Sequence, residues 1–70
     1  MWIRSQDRKI LTEIHNLDID DINQIWDCSS LLGKYSSEEK ALLVLDMIEK
    51  VSMYPGNTLF QMPADDEVEA

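Results

Sequence analysis

Ser36-Ser37-Glu38-Glu39-Lys40-Ala41-Leu42-Leu43-Val44-Leu45-Asp46-Met47-Ile48-Glu49-Lys50-Val51 decides the fold. It reads as the one helix of the chain. Ser36 stands three residues before Glu39, the spacing of a capping box. The serine oxygen accepts the Glu39 amide and the glutamate reaches back. Glu38 and Glu39 also lie at the positive end of the helix dipole. Ala41, Val44, Leu45, Ile48 and Val51 recur at spacings of three and four and form one apolar stripe, which Leu42 broadens. Leu43 and Met47 fall to the side, so the apolar arc is wider than one sheet face requires. Tyr54-Pro55-Gly56-Asn57 ends the helix, because proline cannot continue it and glycine supplies the turn.

Working outward, the flanks carry strand period. Before the helix, Trp2 to Ser5 reads as a short strand, Gln6-Asp7-Arg8 as a polar turn and Lys9 to Ile14 as a second strand. Ile10, Thr12 and Ile14 share one face of it and Leu11 takes the other. In His15 to Ile22, Leu17 and Ile19 alternate with Asp18 and Asp20. The spacing of Ile19, Ile22 and Ile25 also fits a helical turn, but the β-branched residues favour a strand. Asn23 to Cys28 and Leu31 to Tyr35 read as two more strands, and Gly33 marks a bulge or a close backbone approach. After the helix, Thr58 to Met62 is a last strand, stopped by Pro63. The expected fold is therefore α+β: a small antiparallel sheet of about four to five strands with one helix on one face. It forms a single domain over residues 1–63. Residues 64–70 are expected to be a disordered acidic tail.

Composition limits the function. Fourteen Asp and Glu against six Lys and Arg give a net charge of −8. That sign disfavours binding to nucleic-acid phosphates or to anionic membranes, although Arg4, Arg8 and Lys9 form a small basic spot. A single cysteine, Cys28, excludes an internal disulfide and suits a reducing compartment. The longest apolar run, Ala41 to Leu45, is far short of the ~20 residues of a membrane-spanning helix, and the N-terminus lacks the apolar core of a signal peptide. A soluble intracellular protein is expected.

No motif carries catalysis. His15, the only histidine, reads as a surface turn residue, and Cys28 as a small, at least half-buried one. Asp18-Ile19-Asp20-Asp21-Ile22-Asn23 resembles the start of a calcium loop, but Asn23 stands where the loop needs glycine and Ser29 where it needs glutamate. No cofactor or metal is expected. Trp2, Trp26, Tyr35, Tyr54 and Phe60 read as core or sheet-face residues, and Met47, Met53 and Met62 as gap fillers.

The acids are unevenly spread. Asp18, Asp20, Asp21 and Asp27 fall within ten residues, Glu38, Glu39, Asp46 and Glu49 lie on the helix, and Asp65, Asp66, Glu67 and Glu69 in the tail. Solubility alone accounts for such a surface. Alternatively, carboxylates at alternate strand positions, roughly 6–7 Å apart, form a row that a basic nucleic-acid groove would attract.

Met1-Trp2-Ile3-Arg4-Ser5-Gln6-Asp7-Arg8, Leu32-Gly33-Lys34-Tyr35-Ser36-Ser37-Glu38-Glu39-Lys40-Ala41, Val44-Leu45-Asp46-Met47-Ile48 and Phe60-Gln61-Met62-Pro63 together resemble a family of short phage, prophage and mobile-element proteins of Gram-positive bacteria. The resemblance runs from residue 1 to about residue 63 and carries no enzymatic role. It implies the cytoplasm of a bacterial host cell. Small acidic proteins of that setting include anti-CRISPR proteins, several of which mimic DNA. The expected function is a non-enzymatic inhibitor of a host nucleic-acid enzyme, most concretely a Cas nuclease held off by DNA mimicry. Asp18, Asp20, Asp21, Asp27 and Glu38 are the expected partner-binding residues, acting as monomer or homodimer. The alternative is a small homo-oligomeric structural or interaction module, motivated by the apolar arc at Leu42, Leu43 and Met47.

Overall fold

A computed structural model of the chain describes residues 1–54, 56 and 58–69. Six strands and one helix follow in the order β1 Trp2–Arg4, β2 Leu11–Glu13, β3 Leu17–Ile19, β4 Gln24–Asp27, β5 Ser30–Lys34, α1 Glu38–Ser52 and β6 Leu59–Gln61, with a 3-10 turn at Asp65–Glu67. The fold is α+β. The strands form two three-stranded sheets rather than one sheet of four to five, with orders β2-β1-β6 and β3-β4-β5. Nor is the pairing wholly antiparallel: β6 returns after the helix to lie parallel to β1, as a strand reached through a helical crossover can. Gln6 joins the two sheets. Its amide donates to Leu32 O at 2.7 Å, and its side chain exchanges hydrogen bonds with the backbone of Lys34.

Alternation sorts the side chains as the strand period requires. Ile3, Thr12 and Phe60 face inward from the first sheet, and Leu17, Ile19, Ile25 and Asp27 from the second, where Leu32 is buried as well. Ile3, Ile25, Leu32, Tyr35, Ala41, Val44, Ile48, Met62 and Val68 make the core. The helix supplies Ala41, Val44 and Ile48 from its expected stripe, with Leu45 and Val51 half-buried beside them.

Several local expectations change. The helix is capped by Ser37, one residue later than the capping box places it. Its Oγ accepts the Lys40 amide at 3.2 Å. Lysine at the third helical position cannot reach back, so the reciprocal half of the box is missing. Ser36 instead donates its amide to Asp65 Oδ1 at 2.7 Å. Pro55 and Asn57, read as part of the stop, lie outside the described residues. The acidic tail is not loose: Asp65–Glu67 form the 3-10 turn, and Val68 is 4% exposed in the core. Val68 docks it together with Asp65, which accepts from Ser36 and Lys40.

Gly33 stands beside a bulge, and the atoms that crowd it belong to side chains rather than to backbone. The β4–β5 register slips between Ile25 and Trp26, opposite Gly33 and Leu31, which leaves Leu32 as the extra residue of a bulge. A Cβ at Gly33 would stand 3.0 Å from Tyr35 Cε2 and 3.2 Å from the Met62 terminal methyl.

Candidate partner-binding surface

Three turns between strands each contain a non-glycine residue in the left-handed region: Arg8, Asn23 and Cys28. Asparagine tolerates that conformation, while arginine and cysteine are held in it by the hairpins. In the β3–β4 turn, Asp20 Oδ1 accepts the amides of Ile22 at 3.0 Å and Gln24 at 2.9 Å, and Oδ2 accepts the Trp26 indole N–H at 2.9 Å. Partial burial works against the Asp20 charge. The indole and the two amides outweigh it and hold the carboxyl below its ordinary range. Asp20 is thus the organiser of its turn, and it fixes Trp26 on the outer face of β4.

The five expected partner residues do not share one face. Asp18 is exposed on the outer face of β3, opposite Trp26 in register. Asp21 is exposed in the turn. Asp27 pairs with Leu17 on the inward face and is buried. Its oxygens accept the amides of His15 at 3.2 Å and Asn16 at 3.0 Å. Asp27 therefore presents no charge to a partner. The register decides this: Asp18 lies opposite Trp26, so the next residue, Asp27, takes the other face with Leu17.

Glu38 opens α1, close in topology to the β3–β4 turn. The Tyr35 amide donates to Asn23 O at 3.1 Å, so the turn and the start of α1 occupy the same end of the second sheet. The 3-10 turn joins them there. Asp65 accepts from Ser36, and Lys40 Nζ donates to the Asp65 carbonyl at 3.0 Å and carboxylate at 3.4 Å. The Ser36 amide depresses the Asp65 pKa against the cost of burial, with help from Lys40. This end of the molecule presents Asp21, Glu38, Glu39 and Asp66 as exposed acids. Sequence spacing cannot reveal the convergence, since it depends on the docking of a segment read as disordered.

A second acidic feature runs along the helix. Leu43, Asp46, Met47, Lys50, Glu67, Val68 and Glu69 line a groove of about 370 Å³ between α1 and the C-terminal segment. Met47, read as a gap filler, is exposed here.

The chemistry-bearing residues stand apart from these carboxylates. His15 is exposed, with Nδ1 3.8 Å from Asp27 Oδ2. Cys28 is exposed rather than half-buried, because it occupies the β4–β5 turn. Desolvation, then a hydrogen bond with Asp27 and the charges of Asp27 and Asp18, raise its thiol pKa, which lowers its thiolate fraction and its reactivity. Among the described residues no group of three His, Cys, Asp or Glu is placed to hold a metal ion, and no helix is long and apolar enough to cross a membrane.

Of the aromatics read as core or sheet-face residues, all but Tyr54 stand in the core or on a strand. Tyr35 is buried, and its hydroxyl donates to Pro63 O at 2.8 Å. Burial first, then the carboxylates of Asp65 and Glu67, push its pKa up strongly. Trp2 and Tyr54 are exposed, and so is Met53. Trp2 alternates with inward-facing Ile3, so it must point outward. With Leu11, Thr58 and Leu59 it lines a shallow hollow of about 340 Å³ on the outer face of the first sheet. No family model matches the chain, and comparison with curated proteins and with solved structures gives no significant match.

Proposed function

We propose that this is a non-enzymatic acidic protein of a phage or mobile element that inhibits a host nucleic-acid enzyme, with a Cas nuclease blocked by DNA mimicry as the concrete form. The observation that carries the reading is the acidic end, where the β3–β4 turn, the start of α1 and the 3-10 turn gather Asp21, Glu38, Glu39 and Asp66. Asp18 extends this surface along β3. Carboxylates fixed on short, hydrogen-bonded turns need little ordering when a partner binds. A basic channel built for phosphates attracts them by the same charge term that draws DNA. Asp27 belongs to the interior, and Asp20 acts by holding the turn.

The test uses a purified Cas nuclease of a Gram-positive bacterium in a DNA-cleavage assay, at low and high salt. The intact protein should suppress cleavage, less so at high salt, and D18K/D21K/E38K should lose the effect while keeping the circular dichroism of the parent. Inhibition that survives the triple reversal would remove this surface. The absence of a salt-sensitive complex, both with the nuclease and with other basic nucleic-acid enzymes drawn from a bacterial lysate, would remove the function.

A further inference from the structure

We infer that the outer face of the β2-β1-β6 sheet is a docking surface for a second copy of this chain. The inference stands independently of the proposed inhibition. Cross-strand register lays out six residues on this face. Glu13, Trp2 and Leu59 form one row across the strands, and Leu11, Arg4 and Gln61 form the next. Three of the six are large and apolar, and they are well exposed: Trp2 at 41%, Leu11 at 52% and Leu59 at 61%. Such a grouping on a small chain marks an interaction surface.

Charge chooses the occupant. The chain as a whole carries −8, but this face holds one base, Arg4, and one acid, Glu13, so all of the excess lies elsewhere. A strongly basic partner is drawn to the other surfaces. A second copy fits the arrangement. Neighbouring strands stand about 4.8 Å apart and same-face residues about 6.7 Å apart along a strand. Arg4 and Glu13 therefore sit at opposite corners of a small rectangle, with Trp2 and Leu11 at the other two. A two-fold axis in the plane of the face, along the Leu11–Trp2 diagonal, brings Arg4 of each copy over Glu13 of the other. The same operation places Trp2 and Leu11 against their own equivalents, and Leu59 beside them. The patch is thus self-complementary in both charge and apolarity, as a two-fold interface requires. The hollow bounded by Trp2, Leu11, Thr58 and Leu59 leaves room for an aliphatic side chain from the facing copy.

Sedimentation equilibrium of the full chain, from micromolar to millimolar concentration, tests the inference. A reversible dimer is expected. L59K and R4E should each weaken it about tenfold or more, since both place a charge against the matching surface. R4E/E13R, which swaps the charges and keeps the complementarity, should restore association to near the parent value. All three positions are exposed, and circular dichroism checks that the variants keep the fold. A monomer throughout the concentration range would overturn the inference. So would a dimer indifferent to both L59K and R4E, which would place the contact elsewhere, such as the Met47 groove. Failure of the double swap to restore a dimer lost in R4E would overturn it as well.

Discussion

Asp27 Oδ1 accepts the Asn16 amide at 3.0 Å, while the Cys28 amide donates back to Asn16 O at 3.3 Å. This clasp ties the β2–β3 connection to the end of β4, and the second Asp27 oxygen takes the His15 amide. The carboxylate replaces the strand partner that residues 15 and 16 lack. Asp27→Ala should cost about 2 kcal/mol, because two amides lose their acceptor beside the core, and Asp27→Asn should cost less. Urea denaturation measures both. If Asp27 contributed to a partner surface instead, D27A would weaken inhibition and leave the midpoint in place.

The C-terminal segment is a structural part of the domain. Val68 fills the core, Asp65 takes the Ser36 amide, and the Pro63 carbonyl receives the Tyr35 hydroxyl. Val68→Ala should destabilise the protein by about 1–2 kcal/mol through lost burial and the cavity left behind. Removal of residues 64–70 should cost more, since it also deprives Ser36 and Lys40 of their acceptors. Thermal unfolding of the two variants ranks these effects. A truncated chain as stable as the parent would mean that the segment lies on the surface without holding it.

Gly33 is where packing leaves no space for a side chain. The nearest atom to an added Cβ belongs to the Tyr35 ring, at 3.0 Å, and that ring is anchored through its hydroxyl to Pro63. The Met62 methyl can move aside; the ring cannot do so without losing its hydrogen bond. Gly33→Ala should therefore destabilise by about 1–3 kcal/mol, the usual cost of overpacking. Tyr35→Leu, which removes the ring, should lessen the penalty of the alanine when the two are combined. A fully additive double mutant in denaturant unfolding would show that the ring is not what the alanine meets.

The helix, the first hairpin and the other four strand segments are legible in the sequence because each obeys a local period. The inward and outward sides of Ile3, Thr12 and Ile25 follow from alternation alone. Three features are not local. The addition of β6 to β1 depends on a crossover through the helix, which no window around Leu59 contains. Docking of the tail depends on Val68 finding Tyr35 and the helix. The shift of the cap from Ser36 to Ser37 depends on Asp65, a residue 29 positions away, taking the Ser36 amide. The candidate surface suffers in the same way. Acid counts point to Asp18, Asp20, Asp21 and Asp27 together, yet pairing sends Asp27 inward and sets Asp20 to hold its turn. Trp2 reads as a core or sheet-face residue, and its alternation with buried Ile3 decides for the outer sheet face.

Acid should unfold the protein, and the sign can be worked out from three carboxylates. The Ser5 hydroxyl, at 2.6 Å, and the Lys9 amide depress the Asp7 pKa. The indole and amides described above depress that of Asp20 against its partial burial, and the Ser36 amide and Lys40 do so for Asp65. Each folded value lies below the ordinary 3.8, so the unfolded chain takes up protons first as pH falls. Stability from these groups is complete above about pH 5 and drains away as pH drops below about 4 toward the folded values. The net charge of −8 works in the opposite direction, because protonation relieves repulsion among the remaining acids. High salt screens that repulsion and reaches the hydrogen-bonded carboxylates less. Urea midpoints measured at high salt should therefore be level from neutral pH to about pH 5 and then fall. D7N/D20N/D65N should start from a lower midpoint and lose most of the fall. A parent midpoint that rises on acidification at high salt, or a triple variant that falls as steeply as the parent, would show that other groups govern the acid limb.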